Sequence, residues 1–352
     1  MNHIKPVPII LLCMSLIACS GKVAYNYLDW IIEWYITDYV SLDDTQEWLL
    51  RDSLKKGLTW HKSSQLPLYV TSLEQLKGDI ESQLTQQKLL SYVDTYQDFW
   101  HNIRSHLSPM AMSLLTTLTT EQIQQLVENL EAQNQEFEEE YVNKPNETLY
   151  KERSEQMIER LEHWIDDLTP AQQQTVQQWS RKLKPISKQW IANRRLWQQQ
   201  FVKLLYEKRN VMDNGLNAAV DKSVDKGAGK ETNTEQGTPL SKVAFTRQTD
   251  LDNEQIVNGQ MVNSQTVTRQ TTNEAINEAN TSAIDAVNER LMALFLDYRQ
   301  FWTEEYTGHF NENFNMTLDL LLSLEKQLSP QQRNHLLAEL SDLSKQLKDI
   351  HQ

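Results

Sequence analysis

The chain is short of most of what covalent chemistry or membrane crossing would need. Cysteine occurs only at Cys13 and Cys19, both near the N-terminus, so the rest of the 352 residues offers no thiol for a disulfide, a nucleophile or a zinc site. Glycine and proline number nine each, too few for a chain built of strands and tight turns. Beyond the N-terminal stretch no apolar run approaches the roughly 20 residues that span a bilayer. Positive charge is also scarce, with 34 Lys and Arg against 48 Asp and Glu and a formal net charge of -14. Such an acidic balance argues against general nucleic-acid binding and repels anionic lipid headgroups.

What is present begins with a leader. A basic start ending at Lys5 runs into Ile9–Ala18, ten residues that are apolar except for Ser15. That length suits the core of a cleaved signal rather than a permanent span. Leu16-Ile17-Ala18-Cys19 closes the run with a small residue and then cysteine, and resembles the lipobox of bacterial lipoproteins. The resemblance implies cleavage before Cys19, acylation of Cys19, and stable attachment to a membrane through several acyl chains. Cys13 would leave with the leader. Ser20 stands where an aspartate would hold a lipoprotein in the inner membrane, which implies an outer-membrane protein facing the periplasm.

The remaining chain reads as nearly all helix. Its long Gln-, Glu-, Leu- and Lys-rich segments carry apolar residues at threes and fours, the spacing of one buried helical face. From Val176 the apolar stripe includes Trp179, Leu183, Ile186, Trp190, Trp197, Phe201 and Leu204, on one helix or on two joined at Pro185. The tryptophans of that stripe are read as core, not as a ligand-binding aromatic box. Residues 211–285 break the pattern: 25 of these 75 are Asn, Thr or Gln, five of the nine glycines fall here, and Trp and Tyr are absent. Such a composition predicts a disordered polar insertion. Gly227-Ala228-Gly229-Lys230 inside it is not a phosphate-binding loop, since the upstream glycine is missing and Glu231 follows the lysine. The expected organisation is a signal peptide over 1–18, a helical domain begun by 19–210, the insertion 211–285, and a closing helical part 286–352. The expected fold class is all-α, elongated or bundled helical hairpins around one core, because nine of ten tryptophans precede the insertion and Trp302 follows it.

Internal echoes are the second feature. Tyr96-Gln97-Asp98-Phe99-Trp100 returns as Tyr298-Arg299-Gln300-Phe301-Trp302. A leucine-polar-x-x-Gln element occurs at Leu118–Gln122, Leu168–Gln172 and Leu328–Gln332, and more loosely at Leu42–Gln46. Each predicts a helix start: Thr, Ser or Asp caps the first turn, Pro suits the first helical position, and Gln reaches back to the cap. Leu107-Ser108-Pro109 predicts a similar start without the returning Gln. The Thr-x-x-Gln elements resemble the repeat of periplasmic stress chaperones of the Spy and CpxP type, helical proteins that cradle unfolded clients. Tyr25-Asn26-Tyr27-Leu28-Asp29-Trp30, Trp34, Asp38-Tyr39, Leu42 and Trp60-His61 resemble a family of bacterial lipoproteins known only as a domain of unknown function. That resemblance implies a helical envelope lipoprotein with no assigned activity and no catalytic residues.

Charge is unevenly spread. Arg181 to Arg209 holds nine basic residues against the single acid Glu207, whereas Glu121 to Glu140 holds seven glutamates and no Lys or Arg. Neighbouring antiparallel helices that neutralise one another are the favoured reading; a basic face for lipid A phosphates, peptidoglycan carboxylates or an acidic protein stays open. The candidate partner-binding residues are therefore Arg181, Lys184, Lys188, Arg194 and Arg195. The aromatic segment Tyr25–Tyr39 carries Asp29, Glu33 and Asp38 with only Lys22 nearby, lacks a basic face, and is expected in the core rather than on a membrane.

Catalytic patterns are absent. His101 and His106 do not share a helical face well, and no metal-binding motif occurs. Asp166-Asp167 is expected to favour the next helix start rather than to act as an acid–base pair. The expected function is a non-enzymatic lipoprotein without cofactor or metal, tethered to the membrane through Cys19, that binds a periplasmic protein partner or unfolded clients. The alternatives are an assembly lipoprotein that recognises an envelope component through the basic segment, and a peptidoglycan hydrolase.

Overall fold

A computed structural model describes residues 21–225 and 263–352, with side-chain surroundings for 24–214 and 278–352. Cys19 and much of the expected insertion lie outside the described residues. Among those described the chain is all helix, without a strand. In order the helices are α1 Gly21–Asn26, α2 Leu28–Thr37, α3 Asp44–Trp60, α4 Leu66–Ser82, α5 Gln86–Leu115, α6 Thr120–Tyr141, α7 Asn146–Ile165, α8 Pro170–Lys182, α9 Ser187–Asp225, α10 Asn263–Leu296, α11 Glu304–Gln327 and α12 Pro330–His351. A π-helical turn, His61–Gln65, joins α3 to α4. Its cause is local. Pro67 has no N–H to give back to the preceding turn, and the Leu66 N–H bonds instead to His61 O, five residues earlier.

Contacts gather the described residues into two compact units, one running up to Tyr206 and resuming with Glu289–Gln352, the other within Glu207–Asn288. In the first unit α12 lies along α4 and touches α1 and α7, α7 and α8 pair and α8 packs on α11, and α3 packs on α2 and α5. One core cluster of this unit joins Ile165, Leu168, Val176, Trp179, Leu183, Leu320 and Leu324. Each such side chain contributes roughly 1.5–3 kcal/mol by leaving water. The predicted stripe bears most of its burial as expected, since Val176, Trp179, Leu183, Phe201 and Leu204 are buried and the helix breaks between Lys182 and Ser187, around Pro185. Trp179 and Trp197 also satisfy their indole N–H groups, on Thr317 Oγ1 and Leu294 O. In the second unit Val287 and Lys208 are buried, and the Lys208 ammonium donates to Asn288 Oδ1.

The four leucine-polar-x-x-Gln elements all start helices, with complete capping boxes at Asp43/Gln46, Thr119/Gln122, Thr169/Gln172 and Ser329/Gln332. The glutamines then do something that capping alone does not require: they pair. Gln172 Nε2 donates to Gln332 Oε1 at 3.1 Å and to Gln327 O, while Gln332 Nε2 donates to Gln172 Oε1 at 3.0 Å and to Asp167 O. Gln46 and Gln122 repeat the pattern, at 2.9 and 2.6 Å between the amides, with Thr117 O and Ser41 O as the further acceptors. Each Oε1 also accepts the N–H of its own cap residue. Both donors and both acceptor sites of all four amides are thereby used, which is why Gln46, Gln172 and Gln332 can be buried without penalty.

Two expectations need correction. Leu107-Ser108-Pro109 starts no helix: α5 runs through it, with Ser108 buried and its hydroxyl turned back onto Arg104 O. Apolar positions continue across the proline to buried Met112, so packing outweighs the single backbone bond that Pro109 forgoes. The aromatic segment reaches the core only in part, with Tyr25, Tyr35 and Tyr39 half-buried. No residue of α2 is buried, and Tyr27, Trp30 and Trp34 stand 60%, 62% and 44% exposed, with Trp48 of α3 at 65%.

Gln172→Glu replaces two donors by an acceptor, leaving Gln327 O unpaired and a carboxylate against Gln332 Oε1. It is expected to cost about 3 kcal/mol in urea unfolding followed by circular dichroism, and more than Gln122→Glu at the half-exposed member of the other pair.

Candidate interaction surfaces

The basic segment is neutralised within the fold only in part. Arg195, on α9, is clasped by two glutamates of the acidic helix α6, with Nη2 2.7 Å from Glu131 Oε1 and Nη1 2.6 Å from Glu138 Oε1. These bonds hold both carboxyls below their ordinary range. Beside it, Asn134 of α6 and Gln198 of α9 form a further buried amide pair. Arg194 is half-buried, its guanidinium 5.3 Å from the centre of the Trp190 ring and near Tyr39 and Tyr35; burial pulls its pKa down. Arg181 and Lys184 stand exposed in long pairs with Glu147 and Glu312, at 3.7 and 3.8 Å. Lys188 is exposed. Of the five candidates, Arg195 is thus paired with the acidic helix and Arg194 packs on Trp190, while Arg181, Lys184 and Lys188 stay exposed.

The echoed aromatic segments, by contrast, come together. Tyr96 and Trp100 lie on α5; Tyr298, Arg299 and Trp302 lie in the turn that leads into α11, and α5 and α11 pack on each other. Tyr96 is close enough to Tyr298 that, after burial, this neighbour adds to the rise of its phenol pKa. The guanidinium of Arg104, two turns after Tyr96, sits 5.1 Å from the Tyr298 ring centre. Arg299 lies 5.5 and 5.0 Å from the Tyr298 and Trp302 rings. Trp302 continues inward, 4.8 Å from Tyr306, which is fully buried. Tyr96 and Tyr298 are exposed. Among the described residues neither the Arg104 nor the Arg299 guanidinium pairs with a carboxylate, Arg299 Nε donating to Tyr298 Oη instead, and buried Nε of Arg104 has no hydrogen-bond partner. The result is a patch of tyrosine, tryptophan and uncompensated arginine, rooted in the core. Each echoed motif was visible in the sequence, but their meeting was not.

A second cluster pins the N-terminal helix. His61, in the π turn, lies with Nδ1 3.0 Å from Tyr25 Oη and Nε2 3.2 Å from Tyr69 Oη. Tyr25 also donates to Leu58 O. The chain of bonds closes if Nδ1–H donates to Tyr25 and Tyr69 donates to Nε2, the neutral imidazole. Burial pushes His61 down to about 4 and Tyr69 up to about 12. Nearby, His106 stacks on Trp60 with ring centres 3.8 Å apart. His101 reaches only Ser105, at 3.4 Å. Asp166 takes the positive φ of 67° that ends α7, and its carboxylate accepts from Gln331 of α12.

Among the described residues no group of His, Cys, Asp and Glu could hold a metal ion, and no helix is long and apolar enough to cross a membrane. The molecule is thus an all-helical protein with amide-paired helix starts and exposed aromatic faces. It belongs to a family of unknown function, DUF6279, whose model matches residues 38–223, more than half of the chain. No curated protein and no solved structure matches it. The matched span holds the Leu42, Leu118 and Leu168 helix starts but not the Leu328 start that completes the second glutamine pair.

Two measurements check these assignments. Arg195→Glu would set a third carboxylate beside Glu131 and Glu138 and is expected to lower stability by about 1–2 kcal/mol, less at high salt. Between pH 6.5 and about 4 the unfolded chain takes up a proton at His61 that the folded chain refuses. Stability from this group is therefore lost as pH falls through that window and levels off below it, a change of about 3 kcal/mol. His61→Gln, which keeps a donor and an acceptor, should flatten the urea-midpoint profile there relative to wild type.

Proposed function

We propose that this is a lipid-anchored helical protein of the cell envelope, held to the outer membrane through Cys19 and facing the periplasm, that acts without catalysis by binding a protein partner or unfolded clients. The anchoring rests on the lipobox-like Leu16–Cys19. The observation that carries the binding reading is the Tyr96, Trp100, Arg104, Tyr298, Arg299 and Trp302 patch. Tyrosine, tryptophan and arginine are the residues that dominate binding energy at protein interfaces, where they give large contact area at low entropic cost. Two guanidinium groups without carboxylate partners favour a segment that brings acidic or aromatic side chains. The basic segment supports the competing envelope-component reading less well, because Arg195 is already neutralised within the fold.

The test is photo-crosslinking in intact cells from a reactive residue at Tyr96 or at Tyr298, with Lys188 as the comparison site. A discrete protein adduct from the first two positions, lost in Arg104→Ala/Arg299→Ala, is the expected outcome. Purified protein added at equimolar amount to an aggregating client tests the chaperone variant. No adduct and no suppression would remove the binding reading.

A further inference from the structure

We infer that the Tyr27, Trp30 and Trp34 face of α2, with Trp48 beside it, seats the protein on a zwitterionic lipid surface of the phosphatidylethanolamine type. The inference rests on the anchor at Cys19 proposed above.

Reach is the first argument. Tyr25 is fixed to the body of the protein through Leu58 O and His61, and it lies only six positions after Cys19. Six residues, even fully extended, cover at most about 21 Å. An acylated Cys19 therefore leaves no linker on which the body could stand away from the bilayer, and α2 begins three residues after Tyr25. Whatever α2 exposes is exposed within reach of the headgroups.

Chemistry is the second. Residues 27, 30 and 34 fall on one side of the helix at spacings of three and four, so the rings form a single stripe. Among the described residues little covers them: all three rings are exposed and α2 has no buried residue, although it is among the most apolar segments described. An uncovered aromatic stripe of this kind marks an interaction site. Tryptophan and tyrosine are also the side chains that settle at the membrane–water interface, with apolar rings inward and N–H or O–H toward water. Arg51 extends the surface to α3 by bridging Glu33 and Glu47, the neighbours of Trp34 and Trp48.

Charge decides the lipid. Asp29 on α2 and Asp38 just after it are exposed, and Arg51 is shared by two glutamates. The surroundings are acidic, so anionic headgroups are repelled, whereas an ethanolamine ammonium can donate to these carboxylates.

The test reconstitutes the acylated chain in phosphatidylethanolamine and phosphatidylcholine vesicles with brominated acyl chains and reads tryptophan emission. Wild type should be quenched, and Trp30→Ala/Trp34→Ala should lose about half of that quenching or more while keeping its urea midpoint, since neither ring is buried. Exchanging about a third of the lipid for phosphatidylglycerol should leave quenching equal or lower. Acylated protein that floats with vesicles yet is not quenched, or quenching untouched in the double variant, overturns the seat and leaves the anchor standing. Greater quenching with phosphatidylglycerol overturns the zwitterionic assignment. Protein without acyl mass that does not float overturns the anchor and the seat with it.

Discussion

Much of the first unit depends on one chemical arrangement, the reciprocal amide pair between glutamines at helix starts. A helix begins with backbone N–H groups that lack partners, and a capping box answers only those of its own helix. Here the same glutamine turns its remaining donors to a second helix start, bonding that helix's glutamine and a main-chain carbonyl five residues before it. One side chain thus caps, closes a turn and fixes the distance between two elements far apart in sequence. Glutamate, the other usual occupant of the position, has no hydrogens to offer and would place like charges in contact. The polar pair is affordable inside the fold only because no atom in it is left over.

That device also accounts for the allocation of surface. With helix starts locked by neutral amides, charge is free to act laterally, and the acidic α6 and basic α9 use it on each other through Arg195. The aromatic residues divide into two kinds. Trp179 and Trp197 are core residues with their N–H groups satisfied inside. Trp30, Trp34, Trp48, Tyr96 and Tyr298 face outward, where the fold itself has no use for them. An outward aromatic carries meaning that an inward one does not.

Helix class and helix starts were legible in the sequence because periodicity and capping are local: Thr169 and Gln172 need only each other to declare a first turn. The pairing of Gln172 with Gln332 was not legible, since no local pattern reports a partner 160 residues away. Ser108-Pro109 misled for the opposite reason, as local turn chemistry was present and tertiary packing of α5 overrode it. The exposure of α2 was hidden because composition measures how apolar a segment is and not whether anything covers it. At the candidate surface the motifs at Tyr96 and Tyr298 were each readable, while their adjacency, and the consumption of Arg195 by Glu131 and Glu138, required the fold.

The closing helix α12 touches α1 and lies along α4. Its Ser344 hydroxyl meets Glu74 across 270 residues, and His351 meets Lys62 O across 289. Contacts of such long sequence separation form slowly, after the intervening chain has been made. The segment around Lys62 and Glu74 therefore waits, unfinished, until synthesis has delivered residues some three hundred positions later. A factor that shields nascent chain would find its longest task here, on helices whose partners are made last.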